Sequence, residues 1–393
     1  MRIVLIILFL LSPSLYAETN STLSNAFTKG SIQGNLTLFA YNIDRENAEN
    51  AYATALGGYL KYTTDDALPL FASARFYNSS PVGPSRNREQ TNLFKQDGSS
   101  LTALAEAYLA YKYKKRVIKA GDFMLNTPMM NDDTTRIVPW SYQGVAFTSE
   151  AIADTRVQIN YITQIRDHTS DQYTKESASG NFEKGITMLG LTYEGLDEVA
   201  IASYYYHAPE LYSTFIAQAD YKHVMQNDYL FCLGMQYFNS GKGGKYNNRE
   251  GKNGGDDINL LALKMGLDGP FYNVTLNYSQ NFGLSGIVKG YGGLAKVYTT
   301  SMVANGRGNY KPETWMLKSR VDLNEYTNAE SEFAIWLTHT RVKDYRGDDF
   351  NAFYSHYRHY FSHHASLYIR FEAINYKNKN NVNYLRIITS YDF

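Results

Sequence analysis

A compact polar segment, LNTPMMNDDTTRIVPW, interrupts a chain that otherwise has the pattern of short strands. The side chains in it that could bind charge or form turns are Asn131, Asp132, Asp133 and Arg136. Two carboxylates and a guanidinium this close together can pair with each other or present opposite charges to a solute. Because the segment is too long for a tight turn and is bounded by Pro128 and Pro139, we expect an ordered loop that carries function. The alternative is a solvated loop in which the two aspartates only form turns.

Cationic side chains recur on one face of several strand-like stretches. In SLYIRFEAI, Ile369 and Phe371 share an apolar face, and Arg370 lies on the opposite face. The same parity places further cations on the polar face, which gives the set Arg75, Arg156, Lys264, Lys318, Arg320, Arg358, Arg370 and Arg386. Guanidinium groups stay charged and bind carboxylates through parallel N–H groups, so a row of them can pass a carboxylate along. The alternative is ordinary polarity, with Arg370 simply paired to Glu372.

The elements that must position these residues are strands. Period-two alternation recurs up to Phe393, and helical periodicity is essentially missing after residue 17. Counting from Gly30, we predict about eighteen strands of roughly ten residues each, the length of a membrane-crossing strand. Arg358, Arg370 and Arg386 fall on the sixteenth, seventeenth and eighteenth strands. Because neighbouring strands lie about 5 Å apart, we expect these three arginines to form a basic strip.

The connections between the predicted strands alternate between short and long. The long ones are Asn78–Ser100, Arg166–Glu183, Asn239–Asp256 and Gly283–Pro312. A soluble sandwich does not need this alternation, whereas a transmembrane barrel has short turns at one end and long loops at the other. A closed barrel also leaves no backbone group unpaired in lipid. We therefore predict an all-β fold, a transmembrane antiparallel β-barrel with an apolar outer face and a polar lumen.

The first seventeen residues, MRIVLIILFLLSPSLYA, have the layout of a secretory signal peptide, with Arg2, an apolar run and small residues ending at Ala17. The apolar run is too short to be a transmembrane anchor. We expect cleavage after Ala17, which leaves residues 18–393 as one barrel domain. Equal numbers of acidic and basic residues argue against nucleic-acid binding, and a single cysteine, Cys232, permits no internal disulfide.

The segment Gly121–Phe147, GDFMLNTPMMNDDTTRIVPWSYQGVAF, resembles the OprD-type porins of the Gram-negative outer membrane. It is similar to that family's strand, Thr-Pro turn, constriction loop and following strand. Weaker likenesses lie in ITQIRDHTSDQY, in IAQADY and in the Tyr-Asp-Phe ending. The resemblance implies an eighteen-stranded outer-membrane barrel that admits small, often carboxylate-bearing solutes. It also implies that the polar loop, between the fifth and sixth strands, folds inward and narrows the pore.

From the pattern and the resemblance together, we predict an outer-membrane porin for small hydrophilic solutes, anionic or zwitterionic compounds that carry carboxylates. The basic strip would face the acidic constriction loop, and we expect no enzyme activity, cofactor or metal. The expected partners are outer-membrane lipid, lipopolysaccharide, the solutes, and the barrel-assembly machinery, which would recognise the chain end at Phe393; a homotrimer is left open. Two alternatives remain, a barrel enzyme such as a hydrolase with Ser, His and Asp on distant strands, and an adhesin or structural barrel.

Three other motifs have residue types that occur in metal or nucleotide sites, but their spacing predicts no such site. His356 and His359 have opposite parity on one strand, and His363 and His364 occupy a turn, so a metal site is not predicted. The GYGGLA segment at Gly290–Ala295 has no βαβ unit around it. The GKGGKYNNREGKNGG segment lacks the spacing of a phosphate loop, and we expect an exposed loop whose lysines contact lipopolysaccharide phosphates.

Overall fold

The computed structural model describes residues 19–177, 179–242, 257–284, 286–287, 291–304, 311–343 and 348–393. The predicted signal peptide and most of the GKGGKYNNREGKNGG segment lie outside these residues, and what we expect of them stays a prediction. Nearly all of the described chain is strand or a connection between strands.

Eighteen strands form one closed antiparallel barrel, which confirms the predicted fold. Each strand pairs with the next one in the chain, and the last strand pairs with the first. The strands are β1 (Ser31–Arg45), β2 (Ala51–Thr63), β3 (Leu70–Arg86), β4 (Leu101–Tyr113), β5 (Arg116–Phe123), β6 (Ser141–Ile152), β7 (Thr155–Arg166), β8 (Ile186–Leu196), β9 (Val199–His207), β10 (Tyr212–Val224), β11 (Leu230–Lys242), β12 (Asn259–Asp268), β13 (Tyr272–Asn281), β14 (Pro312–Asp322), β15 (Ser331–Val342), β16 (Phe350–Tyr360), β17 (Ala365–Tyr376) and β18 (Val382–Asp392). At the closure, Arg386 lies opposite Tyr41.

The two faces of the barrel wall differ as the alternation predicts. Outward positions carry large, exposed apolar side chains, such as Leu36 on β1 and Leu263 and Met265 on β12. Inward positions between them carry buried or charged side chains, such as Tyr41 on β1 and Lys264 on β12. An apolar outer band suits contact with lipid, and it leaves the polar residues to line the lumen.

Short turns and long connections lie at opposite ends of the barrel. The turn end, where the chain's C-terminus lies, has connections such as 114–115. The loop end has the connections 124–140 and 282–311. The predicted loop Asn78–Ser100 is shorter than expected, because β3 continues to pair with β2 as far as Arg86.

The described part of the chain contains two α-helices after residue 17, where helical periodicity is essentially missing from the sequence. Helix α1 (Thr19–Thr28) precedes β1, and α2 (Asn324–Thr327) is a single turn between β14 and β15. The sequence TNSTLSNAFT of α1 gives little helical signal, and contacts with the barrel hold it, since the Tyr62 hydroxyl donates to the Phe27 carbonyl at 2.6 Å. Among the described residues, no helix is long and apolar enough to cross a membrane.

The buried core lies inside the barrel, where residues 124–140 and 291–304 of two loop-end connections fold in. Met129, in the connection 124–140, packs in one cluster with Tyr206 of β9 and Tyr291 of the connection 282–311. The rings of the two tyrosines are stacked, with their centres 5.3 Å apart. Apolar packing inside the lumen fixes these connections, so their polar groups are held in defined places along the pore.

Candidate functional site

The connection between β5 and β6, residues 124–140, runs inside the barrel, and we call it the inner loop. Near its start, the Tyr206 hydroxyl on β9 donates to Thr127 Oγ1 at 2.9 Å. Near its end, Arg136 Nε donates to the Thr91 carbonyl, in the connection before β4, at 2.9 Å. The loop that was predicted to fold inward therefore lies within the lumen.

Residues 291–304 form a second inner loop, which the sequence did not predict. Asn131 joins the two inner loops, because its Nδ2 donates to the Leu294 carbonyl at 2.6 Å and its Oδ1 accepts from the Leu294 N–H at 3.0 Å. Gly293 has φ +73°, and a Cβ there would lie 2.5 Å from the Asn131 carbonyl oxygen. Gly293 thus serves a close approach of the two inner loops, where any side chain would collide with the Asn131 backbone.

The second inner loop crosses the lumen from one wall to another. On one side, the Tyr298 hydroxyl donates to Asp220 of β10 at 2.9 Å. On the other side, Glu372 of β17 accepts from the N–H groups of Val303, at 2.5 Å, and Ala304, at 3.1 Å. Glu372 therefore anchors this loop, and the alternative in which it simply pairs with Arg370 is wrong.

The composition of the second inner loop could have revealed it. We expected it to be part of the long outer connection Gly283–Pro312. Its sequence, YGGLAKVYTTSMVA, has Lys296 as its only charged residue and is rich in apolar and aromatic side chains. A hydrated outer loop does not need such residues, whereas a loop packed inside a barrel does.

The two aspartates of the inner loop have different surroundings. Asp132 is half-buried near Lys296, and burial raises the pKa of Asp132 and lowers the pKa of Lys296, while each charge partly offsets the shift of the other. Asp133 is 5% exposed, and its Oδ2 lies 3.1 Å from Nε2 of His168. The expectation that both present carboxylates to the lumen is therefore wrong for Asp133, which holds the inner loop to the connection after β7.

Arg136 faces a tyrosine and two carbonyl groups. It donates to the carbonyls of Thr91 and Thr135, and its guanidinium lies 5.0 Å from the centre of the Tyr41 ring. In the described part of the chain it has no carboxylate partner. Burial, together with the positive charge of Arg386, lowers the pKa of Arg136 to about 10, so this group is still protonated at neutral pH.

Four arginines on β14 to β18 form what we call the basic wall: Arg320, Arg358, Arg370 and Arg386. One cross-strand row passes through successive partners, namely Arg386, Arg370, His356, Ala334 and Arg320. Arg358 lies beside this row, two residues nearer the turn end than His356. Because barrel strands tilt by about 35–45°, a row that runs across them also descends along the pore.

Tyrosine rings surround the guanidinium groups of the basic wall. Arg386 lies 4.6 Å from the centre of the Tyr41 ring, which the inner-loop arginine also faces. Arg358 and Arg370 share the Tyr368 ring, at 4.0 and 5.1 Å. Within the residues that the structure describes, neither Arg370 nor Arg386 has a carboxylate at ion-pair distance.

Two more of the predicted cations each have a carboxylate at ion-pair distance. Arg75 Nε on β3 lies 2.8 Å from Glu106 Oε2, and Lys61 Nζ lies 3.7 Å from the same oxygen. Lys264 Nζ on β12 lies 2.6 Å from Asp220 Oδ1. We call these two places, on β2–β4 and on β10–β12, the balanced walls.

The remaining two predicted cations belong neither to the basic wall nor to the balanced walls. Lys318 of β14 faces inward, donates to the Thr300 carbonyl at 3.3 Å and lies 4.7 Å from the centre of a Trp336 ring. Arg156 of β7 is exposed at the turn end, with Nε 3.7 Å from Glu150. That all eight cations line the pore stays a prediction, and strand parity does not reveal which of them are free to meet a solute.

One of the four histidines in HYRHYFSHH lies beside the basic wall. His356 lies between the Tyr354 hydroxyl, 3.0 Å from its Nδ1, and Glu332 Oε1, 3.2 Å from its Nε2. His359 has the opposite parity on the same strand, as expected, and the other two histidines of this stretch lie in the turn 361–364. In the part of the chain that is described, no group of three or more His, Cys, Asp and Glu residues could hold a metal ion.

Comparison with known proteins adds to this geometry. The sequence profile of the outer membrane porin, OprD family, matches residues 81–337, which is more than half of the chain. No curated protein matches the sequence.

Several solved structures have the same fold. Pseudomonas aeruginosa OccK8 (OprE) is 14% identical, with a TM-score of 0.79, and the match covers 94% of this chain and 99% of that one. Acinetobacter baumannii OccAB2 is 16% identical, with a TM-score of 0.83 and coverage of 94% and 99%. Pseudomonas aeruginosa OpdK with vanillate is 12% identical, with a TM-score of 0.76 and coverage of 92% and 98%. At these identities, the likeness shows the fold alone.

Proposed function

Because this chain belongs to the OprD family of outer membrane porins, we propose that its channel favours small hydrophilic solutes that carry a carboxylate, either anionic or zwitterionic. In such barrels the turn end faces the periplasm and the loop end faces the outside of the cell. The solute would enter past the two inner loops and move along the basic wall toward the periplasm.

The observation that carries this proposal is the state of Arg386. Its side chain is 2% exposed, and its Nη2 donates to the Tyr41 hydroxyl at 3.1 Å. Its Nε and Nη1 have no hydrogen-bond partner among the described residues. Burying an unpaired charge is costly, so this concentration of positive charge, with Arg136 and Arg370 beside it, favours an anion nearby.

The electrostatics of a narrow pore strengthen this preference. Charges in a lumen with low-dielectric walls act over a longer range than charges on an open surface, so the basic wall lowers the barrier for an anion. Arg370, Arg358 and Arg320 follow one another toward the turn end, and each can take a carboxylate from the one before. Several weak sites in series let a solute leave as well as enter.

The acidic side of the pore is smaller than we predicted from the sequence. Of the two inner-loop aspartates, Asp132 is the half-buried one, and Lys296 reduces its effect. We infer that Asp132 gives a zwitterion a place for its ammonium group while the basic wall takes its carboxylate. The known structure of OpdK with vanillate, a carboxylate, supports the same solute class in a protein of this fold.

Reconstitution into planar bilayers tests the proposal. In a salt gradient, we expect discrete conductance steps and a reversal potential that reports preference for the anion. A reversal potential that reports cation preference would contradict the proposed selectivity. A hydrolase or an adhesin without an open path would give no conductance steps.

A further inference from the structure

Glu332 of β15 lies where the basic wall meets the turn end. Its side chain is 26% exposed. Its Oε1 lies 3.2 Å from His356 Nε2 and 4.0 Å from Arg358 Nη1, and its Oε2 lies 3.7 Å from Arg320 Nη1. One carboxylate therefore stands among three basic side chains, while Arg370 and Arg386, nearer the loops, have none among the described residues.

The contacts of Glu332 with the two guanidiniums are loose. Both are longer than a hydrogen bond of about 2.7–3.2 Å, so the N–H groups are left for another acceptor. The side chains of Arg320 and Arg358 are 53% and 35% exposed, and both line a cavity of about 590 Å³ at the turn end. A solute that leaves the pore along the basic wall would pass through this cavity.

We propose that Glu332 is a release residue, whose carboxylate competes with the carboxylate of the solute for Arg358 and Arg320 and so sets the rate of exit to the periplasm. This inference rests on the proposed function, because it concerns how the same solutes leave. Without Glu332, the basic wall would end in two uncompensated guanidiniums, the place where an anion would be held longest. With it, the arginines bind a passing carboxylate weakly, which conduction requires.

The position of Glu332 makes the effect directional. It lies beside the last arginines before the turn end, so it acts on a solute that is about to leave toward the periplasm. A solute that returns toward the loop end moves from Arg370 to the inner loop and does not meet Glu332. Only exit to the periplasm is therefore expected to slow when this carboxylate is removed.

Single-channel recording with benzoate as the probe tests the proposal. Benzoate is added at both ends of the channel, and the duration of each current blockage is measured at both polarities. For Glu332→Gln we expect blockages about fivefold longer when the voltage drives benzoate toward the turn end. This is the change in dissociation rate that corresponds to the interaction free energy of two unit charges about 4 Å apart in water. At the opposite polarity the durations should equal those of the wild type.

The matched control is Glu330→Gln, which removes the same charge from the same cavity. Glu330 lines the cavity but forms no ion pair with a described residue. We expect its blockages to last as long as those of the wild type. A second variant, Glu332→Asp, keeps the charge but moves it away from the arginines. We expect its blockages to be longer than those of the wild type, at the same polarity, but by less than in Glu332→Gln. This variant provides a test if the glutamine variant does not fold.

The outcomes separate this proposal from the proposed function. A wild-type channel with neither anion preference nor benzoate blockage would overturn both. A wild-type channel that shows both, with equal blockage times in the Glu332→Gln and Glu330→Gln variants, would overturn the release role alone. Longer blockages at both polarities would also overturn it, because Glu332 would then act on affinity in general and not on exit.

Discussion

The basic wall and the balanced walls are built from the same residue types on the same face of the barrel, yet their charges are used differently. On β3, Arg75 meets the buried carboxylate of Glu106, and on β12, Lys264 meets Asp220. On β17 and β18, Arg370 and Arg386 meet tyrosine rings, and no described carboxylate lies at ion-pair distance. We infer that an inward cation attracts a solute most strongly where no carboxylate of the protein lies within hydrogen-bond distance of it.

The physical reason is desolvation. A buried ion pair satisfies both of its members, so it stabilises the wall once formed but attracts little from the lumen. A guanidinium against an aromatic face keeps its charge, because the ring offers a cation–π contact but no opposite charge. The balanced walls are therefore expected to matter for stability, and the basic wall for selectivity.

The largest expected effect is on the stability of a balanced wall. Glu106→Ala leaves Arg75 and Lys61 without their carboxylate in the barrel wall, and breaking a buried pair in this way costs about 3 kcal/mol. Urea unfolding of the protein in lipid vesicles measures the change in the free energy of unfolding. Arg370→Gln, on the basic wall, should change that free energy by less than about 1 kcal/mol. Equal losses in the two variants would remove the distinction between the walls.

A smaller effect, on anion preference, is expected when a carboxylate is introduced into the basic wall. Tyr368→Glu places an acid between Arg358 and Arg370, which makes this part of the lumen resemble a balanced wall. We expect the anion-to-cation permeability ratio to fall about fivefold. This is the change that corresponds to the interaction free energy of two unit charges about 4 Å apart in water. Tyr368→Gln is the control for loss of the ring, and a fall of the same size in that variant would show that the ring, and not the charge, matters.

The smallest expected effect is a pH dependence that comes from the inner loop. Because burial raises the pKa of Asp132, this carboxylate takes up a proton at a higher pH than an exposed one. As the pH falls from about 7 to about 4, across the usual carboxylate range, the loop loses negative charge and anion preference should rise. Reversal potentials measured across this range should show the rise in the wild type and lack that step in Asp132→Asn. Identical curves for the two proteins would place this carboxylate outside the conduction path.

The barrel could be predicted from the sequence because it depends on local alternation. Ile369 and Ile387 flank Arg370 and Arg386 with apolar neighbours, so the parity of each strand is fixed by the need to face lipid. Cross-strand pairing then places the two arginines opposite each other. The strand count follows from the same periodic signal.

The partners of the inward cations could not be predicted in the same way. Glu106 lies opposite Arg75 because the pairing of β3 with β4 shifts by one residue next to them, and a bulge of this kind changes which residues face each other. The composition of the second inner loop could suggest that it packs inside the barrel, but not where it lies, because its contacts, such as Asn131 with Leu294, join residues far apart in the chain. Nor does local pattern reveal that Asp133 turns away from the lumen to meet His168.

The most direct test of the central claim compares reversal potentials of two double variants in a salt gradient at low ionic strength, about 0.01 M, where the screening length is about 30 Å. Arg370→Gln with Arg386→Gln removes two uncompensated charges, and Arg75→Gln with Glu106→Gln removes one balanced pair. We predict that the first variant loses much of its anion preference and that the second keeps it, with the difference shrinking near 1 M salt, where screening acts within about 3 Å. An unchanged reversal potential in the first variant, or an equal loss in the second, would contradict the claim that the uncompensated arginines of the basic wall select the solute.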